Sequence, residues 1–259
     1  MAKSFVKTEK HGAIYQITLD RPKVNAINVP MSLELYEAFM HFHNDETLRV
    51  AILTGNDDKI FSAGWDLKAE EAIDADYGPG GFAGLTELYH INKPIIAAVN
   101  GMAVGGGFEL ALACDLIIAA DHAEFFLPEA MVGIIPDAGG VLRLPKYLPE
   151  KLAMDIMLTG RRLQAEEGLH FGLIKSVVSP SQLLTEAYEI AEALTKAAPL
   201  SIAAIKEVVR HTAHLTVKDG FDRMRSGEVE AYNKVLNSED AIEGPKAFAE
   251  KREPNWQGK

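Results

Sequence analysis

The chain has 259 residues, 47% of them hydrophobic and 24% charged, the proportions of a globular protein with a packed core rather than of a disordered or fibrous one. Its 26 basic and 37 acidic side chains leave a formal net charge of −11, which weighs against a nucleic-acid partner. A lone cysteine, Cys114, cannot close an intrachain disulfide, and charged or polar residues interrupt the apolar stretches, notably Lys7, Glu9 and Lys10 near the start and Asn100, Glu109 and Asp115 within 95–120. Neither a secretory leader nor a membrane span is expected, and the reducing cytoplasm is the natural setting.

Along the chain, residues 5–19 alternate loosely around Gly12 and predict a β-hairpin that ends at Arg21-Pro22. Ser32 reads as an N-cap, with Leu33, Tyr36, Phe39 and Met40 marking the apolar stripe of a helix, and 49–55 (RVAILTG) reads as a short buried strand. The rhythm repeats as a helix over 84–91, a strand over 93–101, a glycine-opened helix over 105–114 and a strand over 115–120. An α/β core is therefore expected. The acidic stretch 66–81 ends in glycines and reads either as a solvated excursion or as a lid over a site. Beyond about residue 180 the periodicity is helical, which suggests a core over 1–195 and a helical region over 196–259.

Several chemistries are disfavoured by context. The run Gly-Pro-Gly-Gly-Phe-Ala at 78–83 imitates a dinucleotide fingerprint but follows an acidic loop where that fingerprint needs a strand. Ser62, in IFSAG, lacks the first glycine of a nucleophile elbow. His41 and His43 fall on different faces of a helix, and His211 and His214 lack nearby acidic ligands, so no metal site is expected.

Three features remain. Ala63 and Gly64, in FSAGWD, turn sharply after a strand and expose backbone N–H groups. Gly105, Gly106 and Gly107 open a helix whose first turn presents unpaired donors and partial positive charge, although three glycines also suit tight helix–strand packing. Two N–H groups aimed at one point would stabilise a carbonyl oxygen gaining negative charge, and losing one such donor costs about 2.7–4 kcal/mol. The third feature is a pair of carboxylates in apolar surroundings, Glu109 and Glu129, whose charged forms would be disfavoured there, as acid–base chemistry near neutrality requires. A first-turn residue and a turn residue beside Pro128 are the plainer readings of the two.

SAGWDLK at 62–68, NGMAVGGGFELALACD at 100–115 and LPEAMVGIIPDAGG at 127–140, in that order and spacing, resemble the crotonase, or enoyl-CoA hydratase/isomerase, superfamily. The likeness extends from TLDRPKVNAIN at 18–28 through TGRRLQAEEGLHFGLI at 159–174 to EDAIEGPKAFAEKREP at 239–254. It implies a spiral of repeated ββα units with a helical C-terminal region, and reversible hydration or dehydration of a short acyl-CoA thioester. Coenzyme A would be part of the substrate, with no bound cofactor or metal, and the assembly would be a homotrimer or a dimer of trimers. Glu109 and Glu129 would form the acid–base pair, and Ala63 and Gly106 would supply the oxyanion N–H groups. Lys23, Ala63, Asp66 and Leu67 would line the coenzyme A channel, with Lys68 a further candidate for its phosphates; both lysines could equally be surface residues.

The wording GWDLK, GPGGFAGLTEL and AVGGGFEL is closest to the branch of the superfamily that acts on carnitine-type acyl groups. Asp137, where simple fatty-acyl hydratases carry glycine, could orient water, attract a trimethylammonium, or cap the helix starting near Gly139. Trp65 is a candidate cation–π partner, or a core tryptophan; Phe82 and Tyr89 rank below it. A general enoyl-CoA hydratase, a double-bond isomerase working with one carboxylate, and a non-catalytic relative are the alternatives.

Overall fold

The computed structural model describes residues 4–72 and 74–259. The predicted hairpin forms from β1 (Val6–His11) and β2 (Ile14–Leu19), antiparallel around the Gly12 turn. Helix α1 (Val29–Asn44) starts earlier than expected: Asn28 is its N-cap, accepting the Met31 N–H, and Pro30 occupies the first turn, where a missing N–H costs nothing. Its buried stripe is Met31, Leu35, Ala38, Phe39 and Phe42, so of the four expected residues only Phe39 is fully inside and Leu33 is exposed. Ser32 is a buried helical residue whose hydroxyl donates to the Tyr77 and Gly81 carbonyls.

Strands β3 (Val50–Gly55), β5 (Ile95–Val99) and β7 (Leu116–Ala120) fall where the sequence places them. With the hairpin and β10 (Ser176–Val178) they make a six-stranded sheet in the order β1-β2-β3-β5-β7-β10, parallel from β2 onward. Their near-continuous apolar runs are those of strands buried on both faces.

Each of β3, β5 and β7 continues into a short strand of a second sheet: β4 (Ile60–Ser62), β6 (Met102–Val104) and β8 (Glu124–Phe126), with β9 (Leu163–Gln164) at the edge. This is the repeated strand–strand unit expected of the spiral, and helix α2 (Gly106–Ala113) follows β6. Strands β4, β6 and β8 are parallel neighbours, so the segments leaving their C-terminal ends emerge side by side.

The helix expected over 84–91 is absent. Phe82–Gly84 form one 3-10 turn and further turns follow. Leu85 and Leu88 are buried and mimic helical spacing, but Ala83 and Gly84 both have positive φ, and a Cβ on Gly84 would stand 2.3 Å from Tyr36 N of α1. The backbone is pressed too close to α1 to coil.

The chain forms two compact units, Met1–Tyr89 with Ile95–Ala191, and His90–Pro94 with Glu192–Lys259. The first holds both sheets, α2, α3 (Gly140–Tyr147), α4 (Glu150–Thr159) and α5 (Ala165–His170), with α6 (Leu183–Thr195) running out of it. The second is built from α7 (Pro199–Thr212), α8 (Val217–Met224), α9 (Glu230–Leu236) and α10 (Glu239–Glu250). There the buried Glu207 carboxylate accepts the Ala231 N–H, and Asp240 accepts the N–H groups of Gln257 and Gly258. Among the described residues no helix is long and apolar enough to cross a membrane.

Candidate active site

The segments leaving β4, β6 and β8 enclose a cavity of about 540 Å³ within the first unit. Ala63, Trp65, Gly106, Glu109, Glu129 and Asp137 all line it, residues spread over 75 positions of sequence and brought together by the order of three strands.

After β4 the chain runs extended beside Ile27, which donates its N–H to Gly64 O at 2.7 Å and accepts the Asp66 N–H at 2.9 Å. Ala63, expected as an oxyanion donor, is not one: its N–H already donates to Val24 O at 2.9 Å. The Gly64 N–H goes to Ser62 Oγ and the Leu67 N–H to Trp65 O. Successive residues of an extended chain point their N–H groups to opposite edges, so Trp65 turns its own away from Ile27. It is the one main-chain N–H of 63–67 without an acceptor. The buried Ser62 hydroxyl donates to Asn25 O and so serves loop geometry.

The three glycines of α2 each meet a different neighbour. A Cβ at Gly105 (φ +53°) would lie 2.6 Å from Glu129 Oε1, one at Gly106 2.5 Å from the Phe82 ring, and one at Gly107 2.3 Å from Ser62 O. Gly107 thus serves packing, whereas Gly105 and Gly106 keep the helix start open towards the cavity. A Cβ at Gly64 would lie 2.7 Å from Gly106 N, so the β4 loop and the first turn of α2 abut. First-turn N–H groups have no partner within their helix, which gives Gly106 a donor to match that of Trp65.

Glu109 is 3% exposed on a helix that is buried all round, and its Oε1 accepts the Gly140 N–H at 2.7 Å. Burial pushes its carboxyl up to about 8, the Gly140 hydrogen bond opposing and the nearby Glu129 and Asp137 carboxylates reinforcing the rise. Glu129 opens a 3-10 turn after Pro128, is 7% exposed and has an Oε2 with no hydrogen-bond partner. Its carboxyl is also raised, first by burial and then by Asp137. Arg143 donates to Thr86 O and Ala138 O, fixing the turn that carries Gly140.

Other predicted residues sort differently. Asp137 is exposed to the cavity and does not cap α3, whose N-cap is Gly139 with no side-chain hydrogen bond. Asp66 faces Arg21, which binds it at 2.6 Å, holds its carboxyl below the usual range and also donates to Ala26 O. Leu67 lines the cavity; Lys23, which is exposed with φ +78°, does not, nor do Asp66 and Lys68. Phe82 lines it and Tyr89 does not. Segment 66–81, in which Ile73 lies outside the described residues, supplies part of the wall, including Asp74, Asp76 and Tyr77. Tyr77 went unremarked in the sequence, although it is the one aromatic residue between Asp66 and Gly81. Among the described residues no group of three or more His, Cys, Asp or Glu is arranged to hold a metal ion.

Residues 9–259 match the family model described as enoyl-CoA hydratase/isomerase, and the chain belongs to that family. Within it, the chain is 58% identical over 256 residues to the carnitinyl-CoA dehydratase of Salmonella arizonae, covering 98% of both proteins. It is 57% identical over 253 residues to that of Citrobacter koseri, covering 96% of this chain and 97% of the relative. Among solved structures, an enoyl-CoA hydratase of Mycobacterium tuberculosis H37Rv superposes with a TM-score of 0.90 at 38% identity, covering 99% of this chain and all of the other. One from Bacillus anthracis does so with 0.89 at 33%, covering 98% and all of the other.

Proposed function

We propose that the protein is a hydro-lyase that interconverts carnitinyl-CoA and crotonobetainyl-CoA plus water, with Glu109 and Glu129 as its acid–base pair. The observation that carries this reading is the meeting of two buried, upward-shifted carboxyls with the main-chain donors of Trp65 and Gly106 in one cavity. A proton next to a thioester is too weakly acidic for a carboxylate unless the developing enolate oxygen is held, so donors and carboxylates need each other. In dehydration Glu129 removes the proton at C2 and Glu109, protonated near neutrality, gives its proton to the departing 3-hydroxyl. In hydration Glu109 takes a proton from water, the oxygen adds at C3, and Glu129 returns a proton to C2.

The names carried by relatives at 57–58% identity support the carnitine-type acyl group. Asp137 and the aromatic residues of the cavity wall, Trp65 among them, support recognition of its trimethylammonium. Coenzyme A enters as part of the substrate, its channel running past Leu67 and the backbone near Lys23, and the chemistry needs no separate cofactor or metal. The setting is cytoplasmic, and residues 196–259 serve assembly into a homotrimer or a dimer of trimers.

The test offers crotonobetainyl-CoA and crotonyl-CoA separately to the purified protein, following loss of the enoyl thioester absorbance and gain of one water mass. Preference for crotonobetainyl-CoA is expected. Equal or reversed preference would move the protein to the general enoyl-CoA hydratases, and turnover of neither would favour isomerisation or another acyl group.

A further inference from the structure

Among the described residues lining the cavity there is no lysine, arginine or histidine, but six carboxyl groups: Asp74, Asp76, Glu87, Glu109, Glu129 and Asp137. Two of these do the proposed chemistry. A neutral acyl tail gains nothing from the other four, whereas a quaternary ammonium is drawn to them and cannot be neutralised by them. Three aromatic residues, Trp65, Tyr77 and Phe82, share the wall. The Phe82 ring lies over Gly106, where the thioester oxygen would be held, and the Tyr77 ring meets it edge-on with centroids 5.1 Å apart. From the carbonyl carbon of a carnitine-type acyl group to its nitrogen is four single bonds, a reach of about 5 Å at ordinary bond lengths near 1.5 Å. That reach matches the 5.1 Å between the Phe82 and Tyr77 ring centroids, so a tail directed along this wall ends at Tyr77.

Resting on the function proposed above, we infer that Tyr77 is the residue that selects a cationic acyl group, its ring face receiving the trimethylammonium while the Asp137 carboxylate balances the charge. Tyr77 is suited to this by its own partners. Its hydroxyl donates to Glu71 Oε2 at 3.3 Å, and Glu71 in turn accepts the Val29 N–H, so the ring is tethered to the start of α1. Asp137 lines the same cavity and lies close enough to Tyr77, Glu109 and Glu129 to act electrostatically on all three. The Trp65 side chain lies within reach of the Tyr77 hydroxyl, so the two aromatic residues are neighbours on the cavity wall. A quaternary ammonium offers no N–H, so a ring face and a carboxylate at contact distance are the recognition it permits.

The test compares kcat/KM for crotonobetainyl-CoA with that for its neutral carbon isostere, in which tert-butyl replaces trimethylammonium, so that size is held constant and only charge changes. Wild type is expected to prefer the cation; Tyr77→Leu should cut that preference about tenfold, and Tyr77→Phe, which keeps the ring but loses the Glu71 tether, should restore most of it, the gain a partly desolvated cation–π contact gives. Asp137→Asn, at an exposed side chain, should also lower the ratio several-fold and keeps the test open if leucine at 77 disturbs the loop. A wild-type preference that survives in both Tyr77→Leu and Asp137→Asn overturns this inference and leaves the proposed reaction standing. A wild type that hydrates both substrates alike overturns the carnitine assignment, and the role of Tyr77 with it.

Discussion

At the scale of single residues, the proposed reaction sets two carboxyls of the same kind to different tasks. Glu109, pushed up to about 8, is mostly protonated at neutral pH and suited to give a proton, while Glu129 must be ionised to take one. The sign of the pH dependence follows. Dehydration should fall as pH rises through about 8, where Glu109 loses its proton, and should also fall in acid, where Glu129 regains one. Hydration needs the complementary form, Glu109 ionised and Glu129 protonated, which carries the same number of protons, so it should fall on the same two sides. Measuring kcat/KM in both directions from pH 5 to 9 checks this: the two profiles should run parallel, and a profile with no fall above about 8 would contradict the role of Glu109. Glu109, Glu129 and Gly106 were legible from sequence because their neighbours advertise them: apolar residues around a carboxyl, glycines opening a helix. The second donor was not. Which N–H of residues 63–67 is free depends on Val24 and Ile27, some 40 positions earlier, and only pairing in space shows that Ala63 is occupied and Trp65 is not.

At the scale of elements, three short strands do the positioning. Strands β4, β6 and β8 have three residues each, too few for a two-residue period to declare itself, so the second sheet escapes a pattern-based reading that finds β3, β5 and β7 without difficulty. The false helix at 84–91 has the complementary cause: leucines at helical spacing in a segment whose backbone is forced into turns by contact with α1. The junction of β6 with α2 is the most constrained point, because Gly106 has the Phe82 ring 2.5 Å from where a Cβ would stand. Gly106→Ala should push the ring or the helix start aside and lower kcat by about 10²–10³, the effect of losing one oxyanion donor. Steady-state kinetics on the variant check this, with circular dichroism confirming the fold; near wild-type turnover would show that a methyl at 106 leaves the donor in place.

At the scale of the whole molecule, the helical second unit leaves Ile242 73% and Phe248 88% exposed, large apolar side chains that a subunit interface would cover. Assembly as a trimer or a pair of trimers predicts a mass of three or six chains by light scattering behind size exclusion, and a single-chain mass at micromolar concentration would contradict it. The net charge of −11 suits a surface that keeps clear of polyanions, and the same excess of acid carried into the cavity suits a cationic acyl group. The division of labour between two glutamates is tested most directly by hydration of crotonobetainyl-CoA with wild type, Glu109→Gln and Glu129→Gln under one set of conditions. Each substitution should lower kcat by about 10²–10⁴, the usual contribution of a positioned acid or base. Full activity in either variant would contradict the paired-carboxylate mechanism and leave a single carboxylate, as an isomerase would use.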